Sequence, residues 1–324
     1  MFLSKQILRV GSYAVLTNAV LLVCVSQLEA KEQPKTNVRT MPEKRAEAQS
    51  IPADLAYLPD QVYCIRKGMK MEVDVVLLKG GNGPFPAVVC LHGGGWVLGN
   101  RKTNLPLMIK LAQSGYVALS AEYRLAVTDP FPAAVHDVKC AVRWLRANAE
   151  VFNVDPDRIA AFGYSSGGHL ACLLGMTRPQ DGLEGLNGHL DQPSRVQLVI
   201  SYYGICDLNE LYKDKNPLTR FSLSKFVGAC PFNAPDQYGN ASPISYVHKN
   251  APPTLLIHGT SDKLVPIKQS QILEAKLKNV GAEVRLLTLD GAPHCFDGKY
   301  TDKADAATLQ FLDEHFGMKI AKRE

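Results

Sequence analysis

Arg158-Ile159-Ala160-Ala161-Phe162-Gly163-Tyr164-Ser165-Ser166-Gly167-Gly168-His169-Leu170-Ala171-Cys172-Leu173-Leu174 is the stretch on which the fold of this chain turns. Its opening, residues 158–162, reads as a buried strand, and residues 167–176 space their apolar side chains at helical period. Ser165 therefore lies on a sharp strand-to-helix turn. Such a turn strains the backbone of its central residue, and only small neighbours, here Gly163 and Gly167, let the two elements pack closely. A serine held in this way is presented as a nucleophile. Three fixed positions in five recur by chance, so the surroundings must decide.

Strand-like runs fall at residues 62–65, 71–78, 87–91, 116–122, 159–162, 196–202, 254–258 and 284–289. Helical spacing falls at 103–113, 133–149, 167–176, 268–280 and 303–316. This alternation predicts an α/β fold, a mostly parallel central sheet with helices on both faces. The first two strands, joined by the turn at Lys67-Gly68, read as an antiparallel edge. Residues 177–194 and 207–246 are rich in Gly, Pro, Asn and Asp and are expected to form a loop-rich lid. Both follow elements whose ends are expected to point toward Ser165, and the second is read as the substrate cover.

The chemistry is spread along the chain. The run 88–91 leads into His92-Gly93-Gly94-Gly95-Trp96, and successive glycines after a buried strand let backbone N–H groups turn toward one point. Gly94, Gly95 and Ser166 are the candidate N–H donors for an oxyanion. A serine hydroxyl needs a base, and the base an orienting carboxylate. Asp262, in His258-Gly259-Thr260-Ser261-Asp262, and His294, in Asp290-Gly291-Ala292-Pro293-His294, each lie just past a predicted strand's carboxyl end. Open parallel sheets place their sites along that edge. The order Ser165, Asp262, His294 is the one expected of a triad on this architecture. Asp207 is the reserve acid, and His258 reads as structural. Trp96 is either a wall of the acyl site or a core residue. Tyr164 beside the nucleophile is a second substrate-side candidate, better suited to packing its ring, and Arg124 suits a hydrogen-bond network beneath the site.

Composition narrows the alternatives. With 324 residues and 46% hydrophobic content the chain can bury one large core. The formal charge of +5 is spread out, so nucleic acid is not an expected partner. Residues 1–30 read as a signal peptide: Lys5 and Arg9, an uncharged stretch over 10–25, then Ala30 before a cleavage point, with Leu28 larger than usual there. The stretch is short for a membrane span, and the expected location is secreted or periplasmic. Residues 31–60 read as a linker or N-terminal arm, and residues 61–324 as the catalytic domain. Without Cys24 seven cysteines remain, an odd number, and Cys206 with Cys230 is the pairing to test. No spacing suggests a metal, and no cofactor is expected.

Together these motifs resemble the α/β-hydrolase fold carboxylesterases, more narrowly those related to hormone-sensitive lipase and to bacterial feruloyl and acetyl esterases. The resemblance covers about residues 63–316. It is carried by His92-Gly93-Gly94-Gly95-Trp96, Glu122-Tyr123-Arg124-Leu125, Phe131-Pro132-Ala133-Ala134, residues 163–169, Ala241-Ser242-Pro243-Ile244, and the segments ending in Asp262 and His294. It implies Ser165 as nucleophile, His294 as general base, Asp262 as its orienting acid, and an oxyanion hole from Gly94, Gly95 and Ser166. Thr260 and Cys295 depart from the usual pattern without removing a catalytic atom. The expected substrate is a small-molecule or polysaccharide-linked ester with a short or aromatic acyl group, acetyl or feruloyl. The oligomeric state stays open. One alternative is a serine exopeptidase of the oligopeptidase type, which usually carries a propeller for which the thirty residues from Lys31 are too short. The other is a noncatalytic binding module on a hydrolase scaffold.

Overall fold

In the computed structural model, residues 51–66 and 68–317 are described, so the expected signal peptide and most of the arm after it lie outside the described residues. Among the described residues, eight strands form one sheet in the order β1-β2-β4-β3-β5-β6-β7-β8. They are β1 (Leu55–Arg66), β2 (Met69–Leu78), β3 (Phe85–Leu91), β4 (Val117–Ala121), β5 (Val154–Tyr164), β6 (Leu198–Tyr202), β7 (Thr254–Gly259) and β8 (Val284–Leu289). The pairs β1/β2 and β2/β4 are antiparallel, and every pair from β4 to β8 is parallel. The predicted antiparallel edge is thus present. Its first strand starts at Leu55, which is buried, so packed structure begins before residue 61 and residues 55–60 are strand rather than linker.

Period-two alternation sorts each parallel strand onto two faces. Val89, Leu119, Ala161, Val199 and Leu256 meet helices α2 (Ala133–Ala147), α4 (Ser166–Met176) and α8 (Lys268–Asn279). Val88, Ala118, Phe162, Ile200 and Ile257 meet α1 (Leu105–Gln113) and α9 (Gly298–Phe316). The strands buried on both faces are the near-continuous apolar runs of the sequence, as covered parallel sheets require. A short α3 (Ala149–Phe152) follows α2, where the sequence pattern suggested one helix running to residue 149. None of the described helices is long and apolar enough to cross a membrane.

Two segments depart from the expectation of their sequence. Residues 207–246 are not a loop: they fold into α5 (Leu208–Tyr212), α6 (Pro217–Val227) and α7 (Pro235–Asn240), whose Leu211, Leu223, Phe226 and Tyr238 join the core. Prolines at helix starts, together with the Asn216 side chain accepting from the N–H groups of Leu218 and Thr219, are initiation signals rather than breakers. Residues 177–194 do remain mostly irregular, but they leave the far end of α4. Eleven residues of helix carry the chain about 16 Å from Ser165, so this segment does not cover it.

Candidate active site

The turn between β5 and α4 places Ser165 at φ 52°, ψ −116°, a conformation few non-glycine residues adopt. Its N–H donates to the Tyr202 carbonyl at 2.9 Å, pinning the turn to the next strand. A Cβ on Gly163 would lie 2.2 Å from the Gly167 carbonyl, and one on Gly167 would lie 2.2 Å from the Leu91 carbonyl oxygen. Only glycine lets strand, turn and helix approach this closely, and the geometry lifts the serine side chain out of the sheet edge.

The loops after β7 and β8 bring two further side chains to that edge. His294 Nε2 lies 3.1 Å from Ser165 Oγ, and His294 Nδ1 lies 2.7 Å from Asp262 Oδ2. Asp262 Oδ1 accepts from the N–H groups of Leu264 and Val265, each at 2.9 Å. On its other side stands His258, fully buried, with Nε2 3.3 Å from Asp262 Oδ2 and 2.8 Å from the Val265 carbonyl. Nε2 faces two acceptors and must carry the proton, so Nδ1 accepts from the Ser270 hydroxyl at 2.7 Å. His258 is structural, as expected, but it also steadies the carboxylate, a contact hidden in the spacing of His258 and Asp262. Burial alone would push the Asp262 carboxyl up; hydrogen bonds from His258, His294 and the Val265 N–H outweigh it and hold the group well below the usual carboxylate range. An ionised Asp262 fixes the proton on His294 Nδ1 and leaves the Nε2 lone pair toward Ser165. The Tyr203 ring packs edge-on to the His294 ring with centroids 4.6 Å apart.

The glycine loop approaches from β3. Gly94, Gly95 and Trp96 have φ of 122°, 59° and 62°, and the Gly94 carbonyl accepts from Val97 and Leu98. Among the described residues, the N–H groups of Gly94, Gly95 and Ser166 have no protein acceptor. Trp96 is only 2% exposed and stacks on Phe226 of α6 at 4.3 Å, so it is chiefly a core residue with one edge on the cleft. Its indole N–H donates to His169 Nδ1 at 3.2 Å, and His169 Nε2 then donates to the Ala241 carbonyl at 2.7 Å. Burial pushes the His169 imidazole down to about 4, against the pull of its Ala241 bond. Tyr164 packs edge-to-face on Phe162 and Tyr202 while bordering the cleft.

Ser165, His294 and the glycine loop open onto a cleft of about 470 Å³, walled mainly by Leu98, Ile205, Leu211, Leu218, Leu264 and Val265, with Cys295 at its edge. A larger recess of about 640 Å³ lies beyond the far end of α4, bordered by Arg178, Asp191 and His248, and includes none of the three gathered side chains. Asp207 is not brought to His294: its carboxylate accepts from the Glu210 N–H and caps α5. Cys206 and Cys230 are not paired, since the Cys206 thiol donates to the Gln269 carbonyl and Cys230 lies against Tyr212. Arg124 does form a network, bonded to Asp137, Asp129 and the Ala133 carbonyl. Arg101 belongs to none of the sequence motifs. Just beyond the glycine loop, it binds Asp60, Glu72 at 2.9 Å, Asp74 at 2.8 Å and Glu122 at 2.7 Å, fastening that segment to the antiparallel edge.

Sheet order, the strand-turn-helix at Ser165 and the site along the carboxyl edge define the α/β-hydrolase fold. The chain belongs to the BD-FAE family, whose profile matches residues 73–277, more than half of it. It is similar to the esterase LipQ of Mycobacterium tuberculosis, 33% identical over 74% of this chain and 58% of LipQ. The chain spans 58%, 59% and 57% of the lengths of LipQ and two further Mycobacterium tuberculosis relatives, the esterase LipC and the probable carboxylic ester hydrolase LipM. Among solved structures it is similar to a truncated carbohydrate esterase from gut microbiota, 28% identical with a TM-score of 0.71 over 80% of this chain and 95% of that one. It is also similar to the propionate-bound thermophilic esterase of the Planctomycetes species Thermogutta terrifontis, 26% identical with a TM-score of 0.68 over 82% and 96%.

Proposed function

We propose that this protein is a serine carboxylesterase with Ser165 as nucleophile, His294 as general base and Asp262 as its orienting acid. The observation that carries the reading is the hydrogen-bonded line from Ser165 Oγ through His294 to Asp262, facing the free N–H groups of Gly94, Gly95 and Ser166. Ser165 Oγ attacks the ester carbonyl carbon while His294 Nε2 takes its proton. The carbonyl oxygen gains the electron pair and is held by the loop N–H groups, each worth roughly 2.7–4 kcal/mol at the transition state. The carbonyl re-forms, the C–O bond to the alcohol breaks, and the proton on His294 passes to the leaving oxygen. Water, deprotonated by the same nitrogen, then attacks the acyl-enzyme, and the acid departs as Ser165 regains its proton.

The largely apolar cleft suits short or aromatic acyl groups, and the propionate held by the Thermogutta esterase supports the short end of that range. The carbohydrate esterase neighbour, with the signal-like residues 1–30, supports an exported enzyme acting on acetyl or feruloyl esters of polysaccharides. The test is hydrolysis of p-nitrophenyl acetate, butyrate and longer esters, followed by acetylated and feruloylated sugars. Activity with short chains that is lost in Ser165→Ala is expected. Inactivity on every ester, or undiminished turnover in Ser165→Ala, would overturn the proposal.

A further inference from the structure

We infer that Ser222, on the covering helix α6, is a substrate-contacting residue that selects esters bearing an ether or hydroxyl oxygen close to the scissile group; the inference rests on the esterase reading of the same cleft. Ser222 and Phe226 lie one helical turn apart and so share a face. Phe226 stacks on Trp96, and this docking brings Ser222 over the adjacent Gly95, with Oγ 2.8 Å from where a Gly95 Cβ would stand. Ser222 is 8% exposed and borders the cleft that also holds Ser165 and His294.

Its hydroxyl is unspent. Serine and threonine hydroxyls near helix ends of this protein bond back to the carbonyl four residues earlier, as at Ser114, Thr177 and Ser242. Thr219, one turn before Ser222 on the same face, donates to the Leu264 carbonyl. Ser222 Oγ has no protein partner among the described residues. The lining of this cleft is largely hydrocarbon, including Leu98, Leu211 and Leu218, with Thr103, Asn104 and Thr219 among its further polar side chains. A hydrocarbon chain packed there leaves the hydroxyl unpaired and shut off from water, whereas an oxygen at that place accepts its proton. A site with a buried polar group discriminates in this way against the ligand that cannot pair with it. Acylated sugars carry such oxygens beside the ester; simple alkyl esters do not.

Two isosteric pairs, each differing by CH2 against O, test the inference: p-nitrophenyl butyrate with p-nitrophenyl methoxyacetate on the acyl side, and butyl acetate with 2-methoxyethyl acetate on the alcohol side. Comparing the kcat/KM ratio within each pair between the parent enzyme and Ser222→Ala cancels intrinsic reactivity. Alanine removes only an unpaired hydroxyl and favours helix, so the variant is expected to fold, as its Tm will report. The preference for the oxygen-bearing member is expected to fall about 10-fold in one pair and to return in Ser222→Thr. Unchanged ratios in both pairs would overturn the inference while leaving the esterase intact. Failure of the parent enzyme on all four esters would instead strike the esterase reading, and the inference with it.

Discussion

Replacing Asp262 by asparagine changes one atom, and the surroundings dictate where that atom goes. Oδ1 is held by the N–H groups of Leu264 and Val265 at 2.9 Å, which accept no donor in its place. The amide oxygen of Asp262→Asn must stay there, so the NH2 group replaces Oδ2 and faces both His294 Nδ1 and His258 Nε2. His258 retains the Val265 carbonyl as acceptor, but His294 can relieve the clash only by taking the other tautomer. Nε2 then carries the hydrogen toward Ser165, and the base has no lone pair for the serine proton. The same change of tautomer in a serine protease triad costs about 10⁴ in kcat, or about 5.5 kcal/mol of barrier. Steady-state hydrolysis of p-nitrophenyl acetate is the assay, with kcat and KM separated. We expect the whole loss in kcat, because Asp262 touches no substrate. A folded Asp262→Asn enzyme within about 10-fold of the parent kcat would refute the reasoning, since the tautomer of His294 would then be irrelevant to turnover.

Two further outcomes follow from the loop and its buried anchor. In Gly94→Ala the new Cβ would stand 2.0 Å from the Leu98 carbonyl oxygen at a φ of 122°, so the loop must shift; kcat is expected to fall about 10²–10³-fold, and an unchanged kcat would remove Gly94 from the oxyanion site. His169 is neutral in the fold with its pKa pushed down to about 4 from an ordinary 6.5, so the unfolded chain binds the extra proton. Its contribution is intact above pH 6.5 and is lost as pH falls toward 4, about 3 kcal/mol in all. Urea unfolding across that range should show His169→Gln losing about one proton of pH dependence relative to the parent, and identical slopes would contradict the assignment.

Much of this site is readable in the sequence because the chemistry sits at strand ends, and strand ends follow from period and punctuation. Ser165, Asp262 and His294 are far apart in sequence, yet each follows a parallel strand at the same edge, so topology alone convenes them. What period could not reveal was the covering segment. Its three helices are short and carry Pro217, Pro235 and Asn216, which read as loop composition although they start helices. Nor could spacing show distance. Cys206 and Cys230 are separated because one is spent inside against Gln269 and the other packs on Tyr212, and Asp207 is committed to a helix cap. The roles of His258, Arg101 and Ser222 depend on what each side chain faces, which no local pattern encodes.

The central claim is that Ser165 is the activated nucleophile. Treating the protein with a fluorophosphonate and sequencing the modified peptide by mass spectrometry tests it directly, because the reagent bonds to a hydroxyl only where a base and an oxyanion site activate it. A single adduct on Ser165 is expected, absent in Ser165→Ala and strongly slowed in His294→Ala. An adduct on the neighbouring Ser166, or an esterase that turns over while Ser165 stays unlabelled, would contradict it.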